Sequence, residues 1–112
     1  VFGLLGGIGA HPEDLMHMKR TADRLFGDDY QWSILGAGKN QMTLASIGAA
    51  QGANVRVGLE DSLWLEPGKL ARSSKDQVSK VRSILEELSL DIAPPNEVRD
   101  MLNLKGSKNV SF

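Results

Sequence analysis

The strongest constraint on this chain is a unit of strand, glycine loop and helix that recurs along its 112 residues. Residues 1–5 form an apolar run that opens into Gly6, Gly7 and Gly9, the mark of a short buried strand that must turn sharply. Pro12 then stands where a helix can begin, and Glu13 and Asp14 lie where the N-terminal dipole favours acids. Leu15, Met18, Ala22 and Leu25 recur at helical spacing up to a stop at Gly27. The unit returns as a strand over 31–35, the loop Gly36-Ala37-Gly38, and a helix over 40–51 ended by Gly52. A third strand is expected over 54–59, where Val55, Val57 and Leu59 alternate with Arg56, Gly58 and Glu60. After a loop containing Trp64, Pro67 and Gly68, Ser74 and Gln77 have the spacing of a capping box. Val78, Val81, Leu85 and Leu88 follow on one helical face, and a last short helix from Pro95 should turn Val98, Met101 and Leu102 inward.

Strands separated by helices predict a parallel α/β sheet, laid out either as an open doubly wound sheet or as a (β/α)8 barrel. The third strand favours the barrel, whose interior is lined by alternate residues of each strand and whose C-terminal rim collects charged side chains. A barrel takes roughly 250 residues, so three units are less than half of one. Val1 already stands inside an expected strand, which fits a piece of a longer chain.

Composition demotes several function classes. Thirteen Lys and Arg against fourteen Asp and Glu give a net charge of −1, with none of the basic excess that nucleic acids or anionic membranes attract. No apolar run approaches the roughly 18 residues of a membrane span, and the first residues lack a signal-peptide pattern. Without cysteine there is no disulfide and no thiolate metal site, so a metal must use His, Asp or Glu. A cytoplasmic protein is the expectation.

The glycine loops do not qualify as nucleotide cradles. Gly3, Gly6, Gly7 and Gly9 lack dinucleotide-fold spacing, and Gly38-Lys39 is followed by Asn40 where a P-loop needs a hydroxyl. They read as sharp turns from strand to helix, although barrels do bind phosphate at the loops after their last two strands. His11 and His17, six residues apart, fall on different faces without converging partners and read as surface or helix-flank residues. Trp32 and Trp64 read as packing residues, and Lys105 and Lys108 as part of a solvated tail.

The third strand carries the chemistry. Arg56 and Glu60 share a face with Gly58, so in a barrel both charges would project inward, where burial is costly unless each is paired or bound. An interior Arg56–Glu60 ion pair is one reading of this face and a functional site is the other. Asp61 favours the site, because adjacent carboxylates at the C-terminal end of a barrel strand are where catalytic groups lie. Both can serve one site if the strand ends between them.

The run Val55-Arg56-Val57-Gly58-Leu59-Glu60-Asp61 resembles the signature of the β-keto acid cleavage enzymes, of the 3-keto-5-aminohexanoate cleavage enzyme type. The Gly-Gly-Ile-Gly loop, the Trp-Ser-Ile-Leu-Gly-Ala-Gly strand, Gln41, and Ile92-Ala93-Pro94 with Glu97 and Arg99 extend the likeness. Ser62, where the family commonly has Asn, and Ala53, where a Gly is common, depart from it.

The resemblance implies a zinc-dependent TIM barrel of which this chain is the last three βα units, with 1–106 in a single barrel domain and 107–112 a tail. It implies conversion of a β-keto acid and acetyl-CoA into acetoacetate and a new acyl-CoA by Claisen-type condensation and retro-Claisen cleavage, in a homo-oligomer. Glu60 corresponds to a zinc ligand, and Arg56 and Asp61 to the dyad that deprotonates the substrate. His11 and His17 match neither zinc histidine. The contrary expectation is a non-catalytic barrel fragment or interaction module in which Arg56 and Glu60 form a structural pair.

Overall fold

Strands β1 (Ser33–Ile34) and β2 (Asn54–Val55) pair in parallel in a computed structural model that describes residues 1–106, 109 and 110. Ser33 lies opposite Asn54 and Ile34 opposite Val55, and the Arg56 N–H extends the ladder to the Ile34 carbonyl at 3.0 Å. On the other side of β1, Phe2 bridges Gly36, again in parallel, through bonds to the Leu35 carbonyl and from the Ala37 N–H, both 2.9 Å. The three expected strand segments therefore lie side by side in chain order, and none runs antiparallel to another. The molecule is α/β.

Each strand is shorter than its apolar run suggests. Of residues 1–5 only Phe2 joins the sheet. Gly3 and Gly6 take φ of 82° and 80°, and bonds from Gly3 N–H to the Ile8 carbonyl and from Gly7 N–H to the Leu4 carbonyl close a loop that leaves Leu4 and Leu5 exposed. The third strand ends at Val55 instead of Leu59, because residues 58–62 fold into a turn.

Helix α1 (Pro12–Phe26) starts with a capping box: His11 Nδ1 accepts from the Glu13 N–H, and Asp14 Oδ2 accepts from the His11 N–H at 3.0 Å. Gly27 ends it at φ 59°. Of the expected apolar face only Leu15 is buried, so α1 meets the core through its first turn while Met18 and Leu25 stay exposed. A 3₁₀ turn (Gly38–Asn40) leads into α2 (Gln41–Ala50), which buries Gln41, Leu44, Ala45, Gly48 and Ala49. A Cβ on Gly48 would lie 2.6 Å from Ile34 Cγ2, so the missing side chain is what lets α2 rest directly on β1. Phe2, Leu15, Ile34 and Leu44 form the core, flanked by Ile8, Met16, Trp32, Ile47 and Val55.

Three further expectations need correction. The loop around Pro67 and Gly68 is an antiparallel hairpin of β3 (Trp64–Glu66) and β4 (Lys69–Leu70), and Trp64 remains 43% exposed instead of packing inside. Helix α3 (Ser74–Glu87) begins one residue earlier than a Ser74 cap requires, with Ser73 at the N-cap. Ser74 Oγ accepts instead from the Leu59 N–H, Gln77 donates to the Ser62 carbonyl at 2.6 Å, and Asp76 accepts from the Arg72 N–H at the helix start. Bonds to the preceding loop have replaced the local box. Helix α4 (Pro95–Met101) forms where expected, but Val98, Met101 and Leu102 face an open hollow of about 390 Å³ beside Trp32 and are exposed. Lys105 is exposed, whereas Lys108 and most of the 107–112 tail lie outside the described residues. Among the described residues, no helix is long and apolar enough to cross a membrane.

Candidate active site at the end of the third strand

Arg56 leaves β2 pointing along the chain toward a tight turn. Asp61 N–H and Ser62 N–H both donate to the Gly58 carbonyl at 3.2 Å, folding residues 58–62 back over the strand end. The turn brings Glu60 and Asp61, which would lie on opposite faces of a continuing strand, to the same guanidinium. Arg56 Nε donates to Asp61 Oδ2 at 3.1 Å and Nη2 to Asp61 Oδ1 at 3.2 Å, a two-pronged fork, while Nη2 also meets Glu60 Oε2 at 2.7 Å. The strand ends at Val55, five residues before Glu60 and not between the two carboxylates.

Burial separates the three side chains. Asp61 is only 10% exposed, Arg56 is 55% exposed and Glu60 is 84% exposed. The expected interior ion pair of Arg56 and Glu60 is therefore an open one, of the kind worth about 0–1 kcal/mol. Asp61, with both oxygens held by a planar cation, is the fixed member.

Two buried glutamines hold the turn. Gln41, at the start of α2, accepts from the Gly58 N–H at 2.9 Å, and Gln77, from α3, grips the Ser62 carbonyl at the other end. Both are essentially inaccessible to solvent. Gly38 N–H adds a bond to the Asp61 carbonyl at 2.8 Å, so the loop after β1 and the turn after β2 form one rim. Each glutamine retains one buried unpartnered atom, a donor Nε2 on Gln41 and an acceptor Oε1 on Gln77. In the sequence Gln77 has the spacing of a helix cap, and Gln41 carries no local structural signal. The available signal was position: Gln77, Val81 and Leu85 lie four apart on one apolar face, where a polar side chain needs a buried partner.

Glu60 offers a metal one hard anionic donor facing solvent at the rim. His11 caps α1 and His17 is exposed on the same helix. No three His, Cys, Asp or Glu side chains gather to hold a metal among the described residues, so this chain's donor chemistry fits one ligand of a set.

The β-keto acid cleavage enzyme family model matches residues 1–104. The chain belongs to that family. It is 74% identical over its whole length to a 3,5-dioxohexanoate:acetyl-CoA acetone transferase of Paraburkholderia graminis, covering 36% of that protein. It is 38% identical over 88% of its length to a 3-keto-5-aminohexanoate cleavage enzyme of Fusobacterium nucleatum, covering 35% of it. A 3-dehydrocarnitine:acetyl-CoA trimethylamine transferase of Rhizobium meliloti is 37% identical over 83% of the chain. The chain thus spans about a third of the length of the curated relatives it matches.

Proposed function

We propose that this chain supplies the proton-transfer side of the active site in a β-keto acid:acetyl-CoA acyl transferase, and that its three parallel segments are the last strands of a (β/α)8 barrel. The observation that carries the reading is the Arg56 fork on Asp61, fixed in a turn that also presents Glu60. The 74% identical relative makes 3,5-dioxohexanoate the first substrate to try.

Asp61 is the general base. A carboxylate has about four lone-pair positions and the Arg56 fork takes two, which leaves room to accept a proton from the carbon between the keto and carboxylate groups. Arg56 sets the direction of the carboxylate, and the glutamines set the height of the turn. The carbanion attacks the acetyl-CoA thioester carbonyl and releases the CoA thiolate. That thiolate then attacks the original keto carbon and breaks its bond to the α-carbon, which now carries the acetyl group; the α-carbanion released takes back the proton held by Asp61, giving acetoacetate and a new acyl-CoA. From 3,5-dioxohexanoate the acyl product is acetoacetyl-CoA. Glu60 would hold a zinc ion together with donors from outside this chain. Bound zinc would supply Lewis-acid polarisation of the keto group and offset the charge left by proton removal.

The 2.7 Å contact of Glu60 with Arg56 favours a second reading, a structural ion pair in a non-catalytic module. Incubating the complete protein with 3,5-dioxohexanoate and acetyl-CoA separates the two. Acetoacetate formation that a chelator abolishes and zinc restores supports the transferase, whereas a metal-free protein with no turnover on any β-keto acid supports the module.

A further inference from the structure

Beside the Asp61 turn lies a cavity of about 490 Å³, within the size range of ligand sites, between the loop after β1 and the β3–β4 hairpin. The hairpin lines it with the apolar side chains of Trp64, Leu65 and Pro67 and, against them, Lys80 from α3, while Lys39 comes from the loop after β1. Glu66, the carboxylate in the lining, is already occupied: Lys69 Nζ is 2.9 Å from it and Lys80 Nζ 3.6 Å, and those contacts, the Lys69 hydrogen bond first, hold its pKa below the ordinary value. Lys80 Nζ also donates to the Leu65 carbonyl at 2.7 Å. Lys39 is exposed and pairs with no carboxylate among the described residues. The surplus charge at the cavity is positive. Gln41 is part of the lining as well.

We infer that this cavity takes the phosphate-bearing arm of coenzyme A. Lys39 and Lys80 meet its phosphates, and the Trp64 wall packs against the apolar pantetheine. The identification of the ligand rests on the acyl-transfer reading above. The geometry supplies the rest: Gly38 lines the cavity and donates to the Asp61 carbonyl, and Gln41 lines it and accepts from Gly58. An arm lying here therefore delivers its thioester toward the rim where Asp61 stands. The position also corresponds to the loops after the last two strands of a barrel, where phosphate sites recur.

The test measures binding of coenzyme A and of pantetheine to the complete protein by calorimetry, alongside KM for acetyl-CoA and for the keto acid. Lys39→Ala should weaken coenzyme A and raise KM for acetyl-CoA by about threefold to tenfold, in a salt-dependent manner. Lys39→Arg should restore both, and pantetheine affinity and KM for the keto acid should not move. Arg24→Ala, a charge removed from the far end of α1, is the control. Lys80→Ala repeats the test from the other side of the cavity, and Lys39, being exposed, keeps it decisive if loss of the Leu65 contact unfolds the Lys80 variant. Wild-type coenzyme A affinity in Lys39→Ala, or a rise in KM for the keto acid alone, overturns the assignment. Turnover that ignores Lys39 sinks the cavity and leaves the transferase standing. Lys39-dependent coenzyme A binding without turnover does the reverse.

Discussion

Arg56 donates three hydrogen bonds to two carboxylates, and the two partners differ in what they lose when the contact is broken. Asp61 is nearly buried and would be left without a fixed orientation, whereas Glu60 is open to water and can turn away to another cation. The Arg56–Glu60 contact is thus weak enough for a metal to replace. Glu60→Gln keeps the shape of the side chain and removes its charge, so zinc affinity of the complete protein should fall by about tenfold or more. Metal titration checks this, and unchanged affinity would return Glu60 to the role of a partner for Arg56. Arg56→Lys should also be damaging, because an ammonium is a point charge that cannot hold both oxygens of Asp61 in one plane.

Among the elements, the turn over 58–62 is closed by its own bonds to the Gly58 carbonyl and pinned at both ends by tertiary hydrogen bonds. Gln77→Leu removes the donor from the Ser62 carbonyl and should cost on the order of 1–3 kcal/mol in denaturant unfolding of the complete protein. Helix α1 and the start of β2 were legible in the sequence, since Pro12 and Asp14 start α1 and Gly27 ends it, whereas the alternation over 54–59 carries the expected strand four residues past its end at Val55. The turn was not legible, since Gly58 and Ser62 are shaped by Gln41 and Gln77, seventeen and fifteen residues away. Arg56, Glu60 and Asp61 stand out in the sequence as charges on a barrel-strand face and in the family signature, although the strand stops at Val55 and leaves Glu60 open to solvent. Helix α1 supplies a pH test. Asp23 accepts from Lys19 and Tyr30, and those hydrogen bonds, Lys19 first, hold its pKa below the ordinary carboxylate value. A depressed folded-state pKa contributes stability above the unfolded pKa and loses it as pH falls through the folded one. The difference in melting temperature between wild type and Asp23→Asn should therefore be present at neutral pH and vanish on acidification below the ordinary carboxylate range. Lys19, raised chiefly by its hydrogen bond to Asp23, acts at the other end: its contribution is present below its unfolded pKa and is lost as pH rises through the folded value.

At the scale of the molecule, much apolar surface faces outward: Leu5, Leu25, Phe26, Leu63, Leu70 and Val78 are all exposed, and the outer edge of β2 pairs with no strand among the described residues. Such surface and an open parallel edge promote association. Residues 1–112 expressed alone should self-associate and bind hydrophobic dyes, and a sharp monomeric melting transition by calorimetry would oppose the barrel reading. The central claim, that Arg56 and Asp61 act as one base, is tested most directly by steady-state acetoacetate formation in the complete protein. Wild type, Asp61→Asn, Arg56→Lys and the double variant are compared with zinc content matched. The account predicts that Asp61→Asn lowers kcat by about 10²–10⁴ with little change in KM, and that the double variant is no worse than the poorer single. Near-normal kcat in Asp61→Asn, or losses that multiply in the double variant, would contradict it.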